Sequence, residues 1–175
     1  MDVNELQRAL GAIVLESAYL ERVLRAAFSA LVGSKYAAVV DGRLMTKALI
    51  EDCQRIAEVH SSLREPQRAA LLKTLRECAS ANRERNRIIH ESWAIRPGNV
   101  TVALHSRRNS HDVAVQARTF DELHGIAGRI ADAADDLAAA ITAALGVDCL
   151  GVGDQLCGEL GRDLSLDFES EGDVR

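Results

Sequence analysis

The sequence predicts a mainly α fold: an antiparallel up-and-down bundle of about four long helices, with a small antiparallel β insertion before the last. Three observations lead there. Aromatic residues make up only 3% of the 175 residues while alanine and leucine abound, a bias toward helix over sheet. Apolar residues recur in steps of three and four over several long runs, the period of a helix with one buried face. A single stretch, about 93–118, changes to a period of two, as strands require.

The first helix is expected from Val3 to Val32, stopped by Gly33. Leu6, Leu10, Ile13, Leu20, Leu24, Phe28 and Leu31 form a narrow, nearly heptad stripe with Ser17 in its one gap, suited to a bundle core or a dimer seam. Residues 34–45 are a connection with Asp41-Gly42 as turn signal and room for a short helix around Tyr36–Val40. The second long helix starts near Thr46, read as its cap, and ends about His60. Pro66 suits the first turn of the third, which runs to His90 or just beyond. Two or three short antiparallel strands, at about 93–96, 100–105 and 112–117, follow, separated by turns at Arg96-Pro97-Gly98-Asn99 and Arg107-Arg108-Asn109-Ser110. A small sheet of this kind is marginal alone and must lean on the helices, through Trp93, Ile95 and the valines. Its arginines 96, 107, 108 and 118, with His105 and His111, are read as a solvated rim, the alternative being a basic lip beside the polar end of the third long helix. Thr119-Phe120-Asp121-Glu122 is a capping box opening the last helix, which Gly146 stops.

This divides the chain into a helical domain, 1–146, and a tail, 147–175. The tail holds five of the twelve glycines and eight acids against two arginines; the rest carries 18 acids against 19 bases. The overall charge of −5 therefore belongs to the tail, read as flexible, and the body is near neutral. Such a body does not coat nucleic acid generally but permits a local basic site. The start, Met1-Asp2-Val3-Asn4-Glu5, does not read as a signal peptide, and no apolar run approaches the ~20 residues a membrane helix needs. The expectation is a soluble, cytoplasmic protein without a membrane partner. Cys53, Cys78, Cys149 and Cys157 show neither zinc spacing nor a disulfide framework, so no metal or cofactor is expected.

One stretch stands apart: Asn82-Arg83-Glu84-Arg85-Asn86-Arg87-Ile88-Ile89-His90-Glu91-Ser92-Trp93. The apolar row Leu72, Leu75, Ala79 continues at helical spacing into Asn82, Asn86, His90 and Trp93, so a core stripe turns polar while keeping its period. A polar group buried without a partner costs roughly 1–3 kcal/mol, which argues for use. The plainer reading is a solvated helix end, where a cation such as His90 is welcome. The residue types suit RNA cleavage by the 2′-hydroxyl: a histidine to move protons, arginines to hold phosphate oxygens, an asparagine to orient.

Arg85-Asn86-x-x-x-His90, late in a bundle helix and followed by a strand entered through Trp93, resembles the HEPN superfamily (higher eukaryotes and prokaryotes nucleotide-binding). The resemblance covers the motif and, more loosely, the helix layout to residue 146. The family pattern is an arginine, four to six residues and a histidine, often with Asn or Asp after the arginine; Arg85 gives the four-residue form and Arg83 the six-residue form. The resemblance implies a metal-independent endoribonuclease of toxin or defence type, a homodimer joining two motifs in one cleft on single-stranded RNA, with a protein antitoxin or regulator as further partner. Arg85 and His90 would then be catalytic, Asn86 orienting, and Arg83 and Arg87 phosphate-binding. Arg85 lies about 140° around a straight helix from His90, so Arg83 stands as substitute, or Arg85 serves the histidine of a second subunit. Where some family toxins have a tyrosine two residues after the histidine, this chain has Ser92, so a nucleotidyltransferase partner would lack that acceptor.

Two other classes compete. The chain could be a non-catalytic helical module binding a nucleotide, RNA or protein through the same residues, or a structural dimer with the first-helix stripe as seam. The acidic tail could occupy the basic cleft in place of RNA or act only as a solubilising segment; deletion of 147–175 distinguishes the two by RNA affinity.

Overall fold

The computed structural model describes residues 3–34, 36–96, 100–106 and 113–148. It is a helical bundle with a three-stranded antiparallel sheet between its last two helices. The elements are α1 (Val3–Val32), α2 (Ala37–Asp41), α3 (Thr46–Val59), α4 (Glu65–Ile89), β1 (Ser92–Arg96), β2 (Val100–Ser106), β3 (Val113–Arg118) and α5 (Phe120–Leu145).

The expected stripe of α1 is buried from Leu6 through Ile13, Leu20 and Leu24 to Leu31, and Leu10 packs against it half-buried. Because the chain's own core covers this stripe, it is not available as a dimer seam. Ser17 fits the gap by donating to the Ile13 carbonyl at 2.5 Å, so its hydroxyl does not enter the core unpaired. Gly33 ends the helix at φ 61°, a left-handed conformation that side chains with a Cβ resist.

Thr46 is not the cap of α3. Met45 holds that place in extended conformation without a side-chain bond, and the Thr46 hydroxyl instead donates across to Glu21 Oε2 at 3.2 Å. A tertiary acceptor of full charge outcompetes the local backbone donor that propensity favours. Arg68 ties the α3–α4 turn by donating to the carbonyls of Ala57, His60 and Leu63. His60 is the helix-end residue expected. These contacts make α3 and α4 an antiparallel hairpin.

α4 and α5 also run antiparallel. Gln67 donates to the carbonyls of Ala143 and Ala144, Cys78 Sγ to that of Ala133, and Arg129 forks onto Glu84 at 2.8 and 3.3 Å. Gln67 thereby satisfies two of the carbonyls a helix end leaves over. The reciprocal Thr119–Glu122 box opens α5, and Gly146, at φ 71°, closes it by donating to the Thr142 carbonyl at 2.9 Å.

The sheet has the order β1-β2-β3, with Trp93 opposite Ala103 and Leu104 opposite Val115. Trp93 packs half-buried against the helical core, its Nε1 donating to the Ile88 carbonyl at 3.1 Å. Arg118 corrects the reading of a solvated rim: it is buried where β3 turns into α5. The two turns, the side chains of Ile95, Arg96 and His105, and Arg107, Arg108, His111 and the tail from Cys149 onward, Cys157 included, lie outside what is described. No helix among the described residues is long and apolar enough to cross a membrane.

Candidate functional site

α4 carries the candidate residues, and its inward row decides where each one points. The buried row passes through Leu71, Leu75, Cys78, Asn82 and Ile88. Arg85, three residues after Asn82 and three before Ile88, lies on that row half-buried. This corrects the expected inward stripe through Asn82, Asn86 and His90. Two steps of four carry His90 about 80° off Asn82 in one direction, while a step of three carries Arg85 about 60° in the other. The row ends in steps of three, so Arg85 turns inward and His90 is exposed. Asn86 is half-buried between them, and Arg83 and Arg87 are exposed.

Beside Asn82 the helices form a cavity of about 150 Å³, open on one side and lined by Ser17 and Glu21 of α1, Thr46 of α3, Asn82 and Arg85 of α4, and Ile130 of α5. Asn82 is 8% exposed. Glu21 accepts from Arg25 Nη2 at 2.6 Å on one oxygen and from Thr46 on the other. The Arg25 bond is the largest influence holding this carboxyl below its usual value of 4.5; Thr46 and the charges of Arg25 and Arg85 add to it, against the opposing push of burial. Arg85 donates from Nη1 to Asn86 Oδ1 at 2.8 Å, and its Nε is buried with no hydrogen-bond partner.

His90 caps the C-terminus of α4, its backbone N–H reaching the Asn86 carbonyl at 3.2 Å. It does not line the Arg85 cavity. The next residue, Glu91, is buried; Oε1 lies 3.9 Å from Arg87 Nε and Oε2 meets no hydrogen-bond donor. One chain therefore brings Asn82 and Arg85 to one cavity, with Asn86 bonded to Arg85, and leaves His90 about 140° around the helix from Arg85.

Glu21, Thr46 and Ser17 join the site without any local signal. Glu21 reads as a surface residue of α1, Thr46 as a cap and Ser17 as a gap; only the crossing of three helices assembles them. A wider groove of about 290 Å³ between α4 and α5 is lined by Glu77, Glu84, Asp132 and Asp136 with Arg129 alone in opposition, a charge balance that repels phosphate. Among the described residues no group of three histidines, cysteines or acids is placed to hold a metal ion. No protein-family model matches the chain, and comparison with curated proteins and with solved structures finds no match.

Proposed function

We propose that this chain is an endoribonuclease of the HEPN kind, of toxin or defence type, cutting single-stranded RNA without a metal and acting as a homodimer. The observation that carries the reading is the Arg85–Asn86 pair: a guanidinium held by its neighbour's amide oxygen at 2.8 Å, at a cavity mouth, a turn and a half of helix before an exposed histidine. In the reaction the 2′-hydroxyl oxygen bonds to the adjacent phosphorus and the bond to the 5′-oxygen breaks. A base takes the hydroxyl proton and an acid supplies one to the leaving oxygen. His90 is assigned the proton transfer, Arg85 the charge on the phosphate, Asn86 the orientation of Arg85, and Arg83 and Arg87 the flanking phosphates. Since Arg85 and His90 face different ways in one chain, the working pair joins Arg85 of one subunit to His90 of the other.

Cleavage of single-stranded RNA is expected to survive chelator, and Arg85→Ala and His90→Ala each to abolish it while circular dichroism stays unchanged. The two dead variants, mixed and allowed to exchange subunits, should recover about a quarter of wild-type cleavage, because half of the dimers are mixed and each has one whole site. Wild-type protein that leaves a panel of RNAs intact ends the proposal.

The separation of Arg85 from His90 within a chain also favours a second reading, a non-catalytic module that binds a nucleotide, RNA or protein partner. It predicts measurable affinity without turnover, lost in Arg85→Ala and kept in His90→Ala.

A further inference from the structure

The cavity beside Asn82 combines features that narrow its ligand. Glu21 presents a carboxylate and Arg85 a guanidinium to the same small space. A free anion meets the charge of Glu21 and a free cation meets that of Arg85, so neither is favoured. A neutral molecule with donors on one edge and acceptors beside them satisfies both. Asn82, 92% buried by its exposure of 8%, lines the cavity with an amide that finds no hydrogen-bond partner among the described residues. It supplies a further donor and acceptor. Arg85 Nε is buried behind the wall without a partner, so the guanidinium meets the cavity through its other nitrogens. The walls between these groups are apolar, with Val14, Leu20 and Ile130 among them. An amide without a partner on the wall of a cavity is one that a ligand can complete.

Size narrows the class further. A cavity of about 150 Å³ is the volume that holds a single six-membered ring. A two-ring purine would stand partly out of the mouth and leave some of these groups unmet.

We propose that this cavity is a subsite for one unstacked pyrimidine base, read by Glu21, Asn82 and Arg85 through the ring's N–H or amino donor and its flanking carbonyl or imine acceptors. The inference deepens the ribonuclease reading and rests on it: a base seated here, one helix face away from His90, fixes which nucleotide stands next to the broken bond. Glu21 takes the base's donor on lone pairs that Arg25 and Thr46 leave open, since a carboxylate has about four acceptor positions. Asn82 and Arg85 supply donors to the base's acceptors, so Arg85 touches both base and phosphate.

The test measures binding apart from cleavage. Cytidine, uridine, adenosine, guanosine and inorganic phosphate are titrated by calorimetry into the full chain carrying His90→Ala, a residue outside the cavity. The Asn82 side-chain amide is followed by nitrogen-edited NMR. Cytidine or uridine is expected to bind at least about tenfold tighter than either purine and to move the Asn82 amide signals, the ratio expected from about one hydrogen bond. Glu21→Gln and Asn82→Ala should each weaken the pyrimidine by about tenfold. Ala18→Leu, at the exposed mouth of the cavity, blocks it without disturbing the core and should abolish binding. Purine binding as tight as pyrimidine, phosphate displacing the nucleoside, or pyrimidine binding unaffected by Ala18→Leu overturns the proposal. Pyrimidine binding by a chain that cuts no RNA would sink the ribonuclease reading and leave the subsite standing. Cleavage without pyrimidine binding or preference would do the reverse.

Discussion

The cysteines show how far burial alone sets chemistry. Cys53 and Cys78 are fully enclosed in the bundle, and burial pushes both thiols up to about 12. Each donates only weakly, to the carbonyls of Leu24 and Ala133. Iodoacetamide at pH 8 is expected to leave both peptides unmodified in native protein and to alkylate both in denaturant, as peptide mass mapping would show. Fast native labelling of either would mean the core opens readily. Glu21 makes the converse case, a carboxylate stabilised by its partners. Its folded value lies below 4.5, so its contribution is present above the unfolded value and is lost as pH falls through the folded one. Glu21→Gln should therefore flatten the loss of stability below about pH 4.5, measured by urea unfolding across pH. An unchanged acid limb would show that Arg25 and Thr46 hold Glu21 no better in the folded chain than water does in the unfolded one. The largest partner of Glu21, Arg25, is an i,i+4 neighbour on α1 and local in the sequence; what no local pattern shows is that Thr46 and Arg85, 25 and 64 residues away, add to it.

At the scale of elements, boundaries were the most legible feature. α1, α4, α5 and the three strands fall within a residue or two of where periodicity and turn signals put them. The reason is that caps and turns are local chemistry: Thr119 and Glu122 satisfy each other's backbone donors whatever lies beyond them. Thr119→Ala should cost about 1 kcal/mol in chemical denaturation, with Thr119→Ser restoring most of it. The second cap failed as a reading for the opposite reason, since Thr46 had a distant carboxylate to choose. Near the end of α4 the inward row passes through Ile88, which is fully buried, and Ile88→Ala should cost about 2–5 kcal/mol. His90→Ala, exposed two residues later, should change stability by less than about 0.5 kcal/mol. Equal costs at the two positions would put the row back through His90.

For the whole molecule, one hydrophobic core takes residues from each of the five helices among the described residues. Trp93, the only tryptophan, sits where the sheet leaves α4 and packs against that core. Its fluorescence and the helical circular dichroism should therefore lose their native signals in a single urea transition with one midpoint. A fluorescence transition well ahead of the other would mean that the sheet junction opens while the bundle stands. The α1 stripe is spent on this core, so the homodimer proposed above requires another surface. Leu15 and Val14 remain exposed on α1, Val14 at the cavity.

The sequence by itself determined the helices, the strand pairing and the stops, because each depends on period and on neighbours a few residues apart. It also located the polar end of α4 and the residues Asn82, Arg85, Asn86 and His90. Only the tertiary structure decided which of them share a space. Whether Arg85 or His90 turns inward depends on a drift of a few tens of degrees along one helix, and Glu21 and Thr46 reach Arg85 only because α1 and α3 cross there. Local pattern carries no information about such crossings, which are settled by how the buried faces fit together.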